Sequence, residues 1–177
     1  KTSYQSTPFM EKYALEALCK MGEYETAVER METRYAEMVN GENAKSTLWE
    51  HWDFTRGTIN HGWSGGPLII MSKYLAGIEP LKAGYEEISI KPNFANLNKI
   101  SSEVETIKGR IRLEESKNKD NITMTINVPV KTLVAVPKTN SNIKIDGNLS
   151  SQKEKEDETY TYFYIEAGEH KVEASKS

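Results

Sequence analysis

The hydrophobic periodicity of this chain changes once, near Ile78, and this change limits the possible folds more than any other feature of its 177 residues. Before it, apolar residues recur every three to four positions, as on amphipathic helices. After it, they alternate with polar residues, as in strands with one buried face. Helices and strands kept in separate halves favour an α plus β architecture over alternating βα units. We therefore predict two domains, a helical one over residues 1–84 and an antiparallel β-sandwich over residues 85–177.

Three helices are predicted in the first half. The first begins at Thr7 and Pro8, a capping residue followed by a favoured first helical position, and ends at Gly22. The second covers residues 24–38, and the short turn between the two predicts an antiparallel helical hairpin. The third, residues 68–76, is apolar nearly all round and should be buried on most sides. Because three helices cannot bury it well, and because the chain lacks an initiator Met, we expect one end of a larger helical assembly.

Short strands are predicted throughout the second half, separated by turn residues such as those at 118–121, 137–142 and 146–148. Seven or eight strands at this spacing predict the antiparallel β-sandwich. Tyr160, Tyr162 and Tyr164 share one strand face and could form a sugar-binding surface. Because the alternate residues Phe163 and Ile165 are also apolar, a strand buried on both faces is the preferred interpretation. The predicted strands are residues 88–90, 100–105, 107–114, 122–128, 132–136, 143–145, 160–165 and 171–174.

The stretch from Trp49 to Trp63 contains all three tryptophans of the chain and two of its three histidines. Aromatic rings interleaved with acids, amides and imidazoles are typical of a cleft that stacks a small polar ring and performs proton chemistry on it. A buried aromatic seam between helices, with polar residues capping chain ends, is the structural alternative. The polar residues of this stretch are Glu50, His51, Asp53, Asn60 and His61.

Composition excludes several classes of protein. A net charge of −3 and a pI near 5.8 argue against a nucleic-acid partner. No apolar run approaches the roughly 20 residues of a membrane helix, so we expect no membrane partner. His51, His61 and Asp53 lack the compact spacing of a metal site, and we expect no metal. No signature of a nucleotide, flavin or haem is present, so we expect no cofactor.

Four segments together resemble the C-terminal part of bacterial α-L-rhamnosidases, glycoside hydrolase family 78. Residues 46–53 (STLWEHWD) and 59–67 (INHGWSGGP) carry the Trp-Glu-x-Trp-Asp motif and the Asn-His pair of that family. Residues 74–78 (YLAGI) and 84–92 (GYEEISIKP) are similar to the segment by which the family leaves its (α/α)₆ barrel and enters a C-terminal β-sandwich. The resemblance covers residues 1–136 and continues beyond them only as a pattern of strands.

The resemblance implies an inverting hydrolysis of terminal α-L-rhamnosyl groups, in which one carboxylic acid protonates the leaving oxygen and one carboxylate activates water. Glu50 matches the general base of the family, and His61 matches a histidine of the sugar-binding subsite. The general acid lies upstream of this region in the family, and Glu11, Glu16, Glu23 and Glu25 are predicted on polar helix faces. The remaining predicted substrate-binding or supporting residues are Trp49, Trp52, Trp63 and Asp53.

The expected partners are therefore a rhamnose-containing glycan and the upstream part of the same catalytic domain. An isolated fragment with half of the acid/base pair should be inactive. The first residues lack the apolar stretch of a signal peptide, while an extracytoplasmic or periplasmic location would agree with the resemblance. Two alternatives remain open: a non-catalytic carbohydrate-binding or structural module, and a toroid glycosidase or lyase acting on another sugar.

Overall fold

The computed structural model describes residues 6–150 and 153–176 of the chain. Its backbone divides into two compact units, Lys1–Met71 and Ser72–Ser177. The first contains helices and the second contains two β-sheets, so the predicted order of helices followed by strands is confirmed. The described residues include only a few short helices and no helical toroid.

The helical unit begins with α1 (Pro8–Lys20), whose first turn is capped by the Thr7 hydroxyl accepting from the Met10 N–H. The predicted second helix is divided into α2 (Tyr24–Arg34) and α3 (Ala36–Asn40). Tyr35 lies at the division, with a backbone that is not helical, and its ring is buried. The later helical segments are a 3₁₀ turn (Gly62–Gly65), α4 (Gly66–Ile69) and a π-helical turn (Ile70–Leu75).

The prediction that Glu11 lies on a polar helix face is wrong, because its side chain is fully buried. Its carboxylate contacts Arg30 and lies 2.9 Å from a guanidinium nitrogen of Arg34, so α1 and α2 are joined by a cluster of ion pairs around a buried carboxylate. The two arginines together compensate this buried charge, which would be strongly destabilising without them. Glu11 is therefore a structural residue of the helical unit.

The third helical segment also differs from expectation. Ile70 and Leu75 are buried as predicted, but Leu68 is 65% exposed, and Ile69 and Met71 are exposed as well. The predicted burial of this segment on most sides is therefore wrong for these three side chains.

Eleven strands form the second unit in the described residues, and most follow the predicted alternation. Ile107 is an exception: it is 83% exposed in a turn, and the strand predicted to start there begins at Gly109. The strands are β1 (Ile78–Pro80), β2 (Ile88–Ile90), β3 (Lys99–Thr106), β4 (Gly109–Lys117), β5 (Asn121–Val128), β6 (Thr132–Pro137), β7 (Asn142–Ile145), β8 (Asn148–Leu149), β9 (Lys155–Glu156), β10 (Tyr160–Ile165) and β11 (Gly168–Ser175).

The strands form two sheets, in the orders β1-β2-β6-β10-β9 and β3-β4-β5-β11-β7-β8. All pairs are antiparallel except β2 with β6, which run parallel. The apolar residues of both sheets form the buried core of this unit, which is organised like a β-sandwich. The predicted burial of β10 on both faces is confirmed for Tyr160, Tyr162, Phe163 and Ile165, and the hydroxyls of Tyr160 and Tyr162 donate to Pro92 O and Asp157.

Glu115 is a charged residue type on the inward face of β4, and its side chain is 1% exposed. Alternation places it on the same face as Ile111 and Leu113, and its cross-strand neighbours are Ile100 and Met124. Neither carboxyl oxygen has a hydrogen-bond partner among the described residues. Burial raises the pKa of Glu115 well above its ordinary value, because an ionised carboxylate is strongly disfavoured in an apolar interior.

Candidate functional site

The candidate site is a loop whose two arms are joined by hydrogen bonds. The His61 N–H donates to Leu48 O over 2.9 Å, and the Glu50 N–H donates to Thr58 O over 2.8 Å. The Thr47 hydroxyl donates to the carbonyl of Ile59 over 2.6 Å. These bonds bring the two arms side by side, so Glu50 and His61 lie close together although ten positions separate them.

The buried side chain of Trp49 anchors this loop to the helical unit. Its indole is completely buried, packing on Tyr35 and Met38, with its ring centroid 5.0 Å from that of Phe54. The Ser64 hydroxyl donates to Trp49 O over 2.6 Å, which fixes the backbone immediately before Glu50. Trp49 is therefore placed to support the loop, and its ring is not accessible to a ligand.

The Glu50 side chain is 23% exposed, and its carboxylate lies across the loop against the opposite arm. One carboxylate oxygen, Oε2, accepts from the Thr58 N–H at 3.0 Å and lies 3.5 Å from His61 Nδ1. The other, Oε1, lies 3.7 Å from His51 Nε2. The backbone hydrogen bond from Thr58 lowers the pKa of Glu50, and the Thr58 hydroxyl and both imidazoles lower it further, against a partial desolvation that raises it. These contacts favour the ionised form of the carboxylate.

His61 and Trp63 form the exposed aromatic part of the site. Their ring centroids are 4.0 Å apart, and Trp63 also packs on Phe9 at 5.0 Å. Trp63 is 46% exposed, so a large apolar ring face is available beside an imidazole. Aromatic faces of this kind suit the apolar face of a sugar ring, while the imidazole can bind its hydroxyls.

The two other predicted residues lie in supporting positions. The Trp52 indole N–H donates to Ser6 O over 2.6 Å, and its ring packs against Tyr35 and beneath the Arg34 guanidinium. Asp53 caps a turn, since its Oδ1 accepts from the N–H and the hydroxyl of Thr55. The hydrogen bond from the Thr55 hydroxyl lowers the pKa of Asp53 the most, and the bond from the Thr55 N–H lowers it further.

Sequence reasoning missed Thr58, which bonds to the Glu50 carboxylate, and Gly57, which leaves room for it. Thr58 bonds to the carboxylate through the backbone and through the hydroxyl, and Gly57 adopts a positive φ of 68° where an added Cβ would lie 2.7 Å from Glu50 Oε2. The available signal was a glycine between Glu50 and His61, a position where the chain can reverse tightly.

A cavity of about 500 Å³ lies next to His61 in the helical unit. Its wall is largely apolar and includes exposed side chains of α3 and α4.

Within residues 6–150 and 153–176, no group of three or more His, Cys, Asp or Glu side chains is placed to hold a metal ion. In that same part of the chain, no helix is long and apolar enough to cross a bilayer. The residues that line the cavity next to His61 include Met38, Leu48, Asn60, His61, Pro67 and Leu68.

Comparison with known proteins finds one matching family model, which lies outside the site loop, and several similar solved structures. Residues 77–149 match the family described as the bacterial alpha-L-rhamnosidase C-terminal domain. The chain is similar to the solved structure of an α-L-rhamnosidase from Dictyoglumus thermophilum, with a TM-score of 0.76 and 22% identity over 96% of this chain and 21% of that one. It is also similar to the Streptomyces avermitilis α-L-rhamnosidase complexed with L-rhamnose, with a TM-score of 0.67 and 16% identity over 90% of this chain and 17% of that one.

A third match is the GH78 family rhamnosidase of Bacillus sp. GL1, with a TM-score of 0.53 and 21% identity over 62% of this chain and 12% of that one. No curated protein sequence matches the chain. The chain spans about one fifth of the length of the first two solved structures. The predicted resemblance to the C-terminal part of bacterial α-L-rhamnosidases is confirmed.

Proposed function

We propose that this chain is the C-terminal part of an inverting glycoside hydrolase that releases terminal α-L-rhamnose, and that Glu50 is its general base. The observation that carries the proposal is the environment of the Glu50 carboxylate. It is partly exposed, held in place by Thr58, and lies within 4 Å of an imidazole that packs at a tilt against a partly exposed indole. An ionised carboxylate can accept a proton from a water molecule, and the aromatic ring beside it can pack against a sugar.

In the proposed reaction, Glu50 accepts a proton from water as that water attacks the anomeric carbon. The leaving oxygen takes its proton from a carboxylic acid about 6.5–9.5 Å away, which the rest of a longer polypeptide supplies. His61 and Trp63 bind the sugar. Trp49, Trp52 and Asp53 act beneath them by fixing the loop, in agreement with their buried or turn-capping positions.

We also propose that the helical unit forms the last helices of an (α/α)₆ barrel whose other helices belong to the longer polypeptide. The exposed apolar side chains of Leu68, Ile69 and Met71 support this, as does the apolar cavity lined by Leu68 and Met71. The predicted domain boundary after residue 84 stays a prediction; the two compact units divide between Met71 and Ser72, and β1 pairs with β2 within the second unit.

The test is Glu50→Gln in the longer polypeptide, assayed with an aryl α-L-rhamnoside. Gln keeps the size of Glu but cannot accept the proton, so kcat should fall by about 10²–10⁴-fold while the fold is unchanged. Glu42→Gln, at an exposed position before the loop, is the matched control and should retain the wild-type rate. A Glu50→Gln enzyme with a near-normal rate would remove Glu50 from the mechanism. Parallel assays with other aryl glycosides would detect a different sugar specificity.

A further inference from the structure

The Thr58 hydroxyl contacts two of the residues to which the proposed reaction assigns direct roles, Glu50 and His61. Its Oγ1 lies 3.2 Å from Glu50 Oε2 and 2.7 Å from His61 Nδ1. The backbone of Thr58 is fixed independently, because its N–H donates to Glu50 Oε2 and its carbonyl accepts from the Glu50 N–H. The hydroxyl is therefore held between a carboxylate and an imidazole.

A hydroxyl has one proton, and this limits the arrangements open to the three groups. If the Thr58 proton points to Glu50, then Oγ1 must accept from a protonated Nδ1 of His61. If the proton points to His61 instead, Nδ1 must carry a lone pair. The hydroxyl thus links the charge on Glu50 to the tautomer of His61.

Electrostatics decides between the two arrangements. His61 Nδ1 lies 3.5 Å from Glu50 Oε2, so a lone pair on Nδ1 would face an ionised carboxylate, whereas an N–H there is attracted to it. The first arrangement also gives Oε2 hydrogen bonds from both the hydroxyl and the backbone of Thr58. With Glu50 ionised, the Nδ1–H tautomer of His61 is therefore the favoured one.

We propose that Thr58 is a positioning residue that holds neutral His61 in the Nδ1–H tautomer, so that Nε2 accepts a hydrogen bond from a hydroxyl group of the bound sugar. The sugar contact rests on the proposed function, whereas the tautomer assignment does not. A neutral imidazole has one donor and one acceptor nitrogen, and fixing which is which selects the ligand groups it can bind. His61 then discriminates in favour of an O–H donor at that position of the sugar.

The tautomer is measured by long-range ¹H–¹⁵N correlation spectra of the ¹⁵N-labelled 177-residue chain, at a pH where His61 is neutral. We expect Nδ1–H in the wild type and in Thr58→Ser, which keeps the hydroxyl. In Thr58→Val, which keeps the shape and the backbone bonds, the hydroxyl that accepts from Nδ1–H is lost while the Glu50 carboxylate remains 3.5 Å away, so we expect the fraction of the Nε2–H tautomer to increase. A wild-type chain with Nε2–H overturns the proposal whatever the variants show, and an unchanged tautomer in Thr58→Val overturns the role of Thr58.

Kinetics of the longer polypeptide with an aryl α-L-rhamnoside tests the sugar contact separately. Thr58→Val should lose up to about 100-fold in kcat/KM, as expected when a reacting group is misplaced. The acid limb of its pH profile should move upward, since a bond to ionised Glu50 is lost, and Thr58→Ser should restore both. An unchanged profile in Thr58→Val overturns the positioning role. A wild-type polypeptide that does not cleave the rhamnoside overturns the proposed function and the sugar contact, while the spectra still judge the tautomer.

Discussion

Replacing Glu115 should change how the stability of this protein depends on pH. In the native state its carboxyl is enclosed by apolar neighbours on β3, β4 and β5, with no partner for either oxygen among the described residues. In the unfolded chain it titrates near pH 4.3. Above that pH the native state retains a proton that the unfolded state has lost, so the free energy of unfolding decreases as the pH rises towards the elevated native pKa.

The size of this effect follows from the difference of one proton between the two states. One retained proton corresponds to about 1.4 kcal/mol of stability lost for each pH unit. Below pH 4.3 the contribution of Glu115 is fully retained, because both states are protonated. Glu115→Gln cannot ionise and should remove this slope. Glu115→Met also removes the unpaired polar group and should be more stable than Glu115→Gln by about 1–3 kcal/mol.

Urea unfolding of the 177-residue chain, followed by circular dichroism between pH 4 and pH 8, measures these slopes. Glu114→Gln is the matched control, since Glu114 is the adjacent residue of β4 and lies on the exposed face. It should leave the wild-type slope unchanged. If wild type and Glu115→Gln gave parallel curves of stability against pH, the carboxyl would be ionised in the native state and the reasoning from burial would be wrong.

Two further predictions concern Gly77 and Trp63. Gly77→Ala should destabilise the chain by more than the roughly 1–2 kcal/mol that a positive φ costs a non-glycine residue, because the new Cβ would overlap the Lys91 backbone. Gly22→Ala has a similar φ and nothing within 4 Å, so in urea unfolding it should show the φ cost alone, and equal losses in the two variants would exclude the overlap. Trp63→Ala in the longer polypeptide should raise KM for the aryl rhamnoside more than it lowers kcat, because a binding surface is lost and Glu50 is retained. A fall in kcat at unchanged KM would contradict that assignment.

Most of the β-rich unit was predictable, because alternation of apolar and polar residues reports directly on which face of a strand is buried. Alternation fails to predict burial where an apolar residue is exposed or a charged residue is buried. Ile107 is apolar but lies at a turn before Gly109, and Glu115 is acidic but lies on the inward face. The strands β8 and β9 contain two residues each, too few to show any period, and β1 has a single buried position.

The helical unit was harder to predict, because its arrangement depends on partners far apart in the sequence. Helical spacing located α1 and α2, but the burial of Glu11 depends on Arg30 and Arg34, which follow nineteen or more positions later. The division of the second helix at Tyr35 has a similar origin. Its buried ring packs against Trp52 and its hydroxyl donates to Pro8 O, contacts that local propensity does not include.

The family resemblance suggested that Glu50 and His61 act together. It did not indicate which residues hold their side chains in place. Threonine and glycine are common in loops, so nothing in their type marked Thr58 or Gly57 as contacts of a carboxylate. Their importance depends on the backbone hydrogen bonds between the arms of the loop, which place residue 58 opposite residue 50. The sequence alone did not indicate that the Trp49 side chain is buried whereas the Trp63 side chain is exposed.

The hydrogen bonds between the two arms of the site loop fix the separation of Glu50 and His61 without relying on the length of the segment between them. Residues 51–56 lie between the joined positions Glu50 and Thr58, so the ends of this segment are held together by the paired arms. Closing a loop whose ends are already joined depends only weakly on its length. The Glu50 to His61 spacing is therefore a property of the paired arms, whereas Trp52 and Asp53 tie the segment between them to the helical unit and to its own turn.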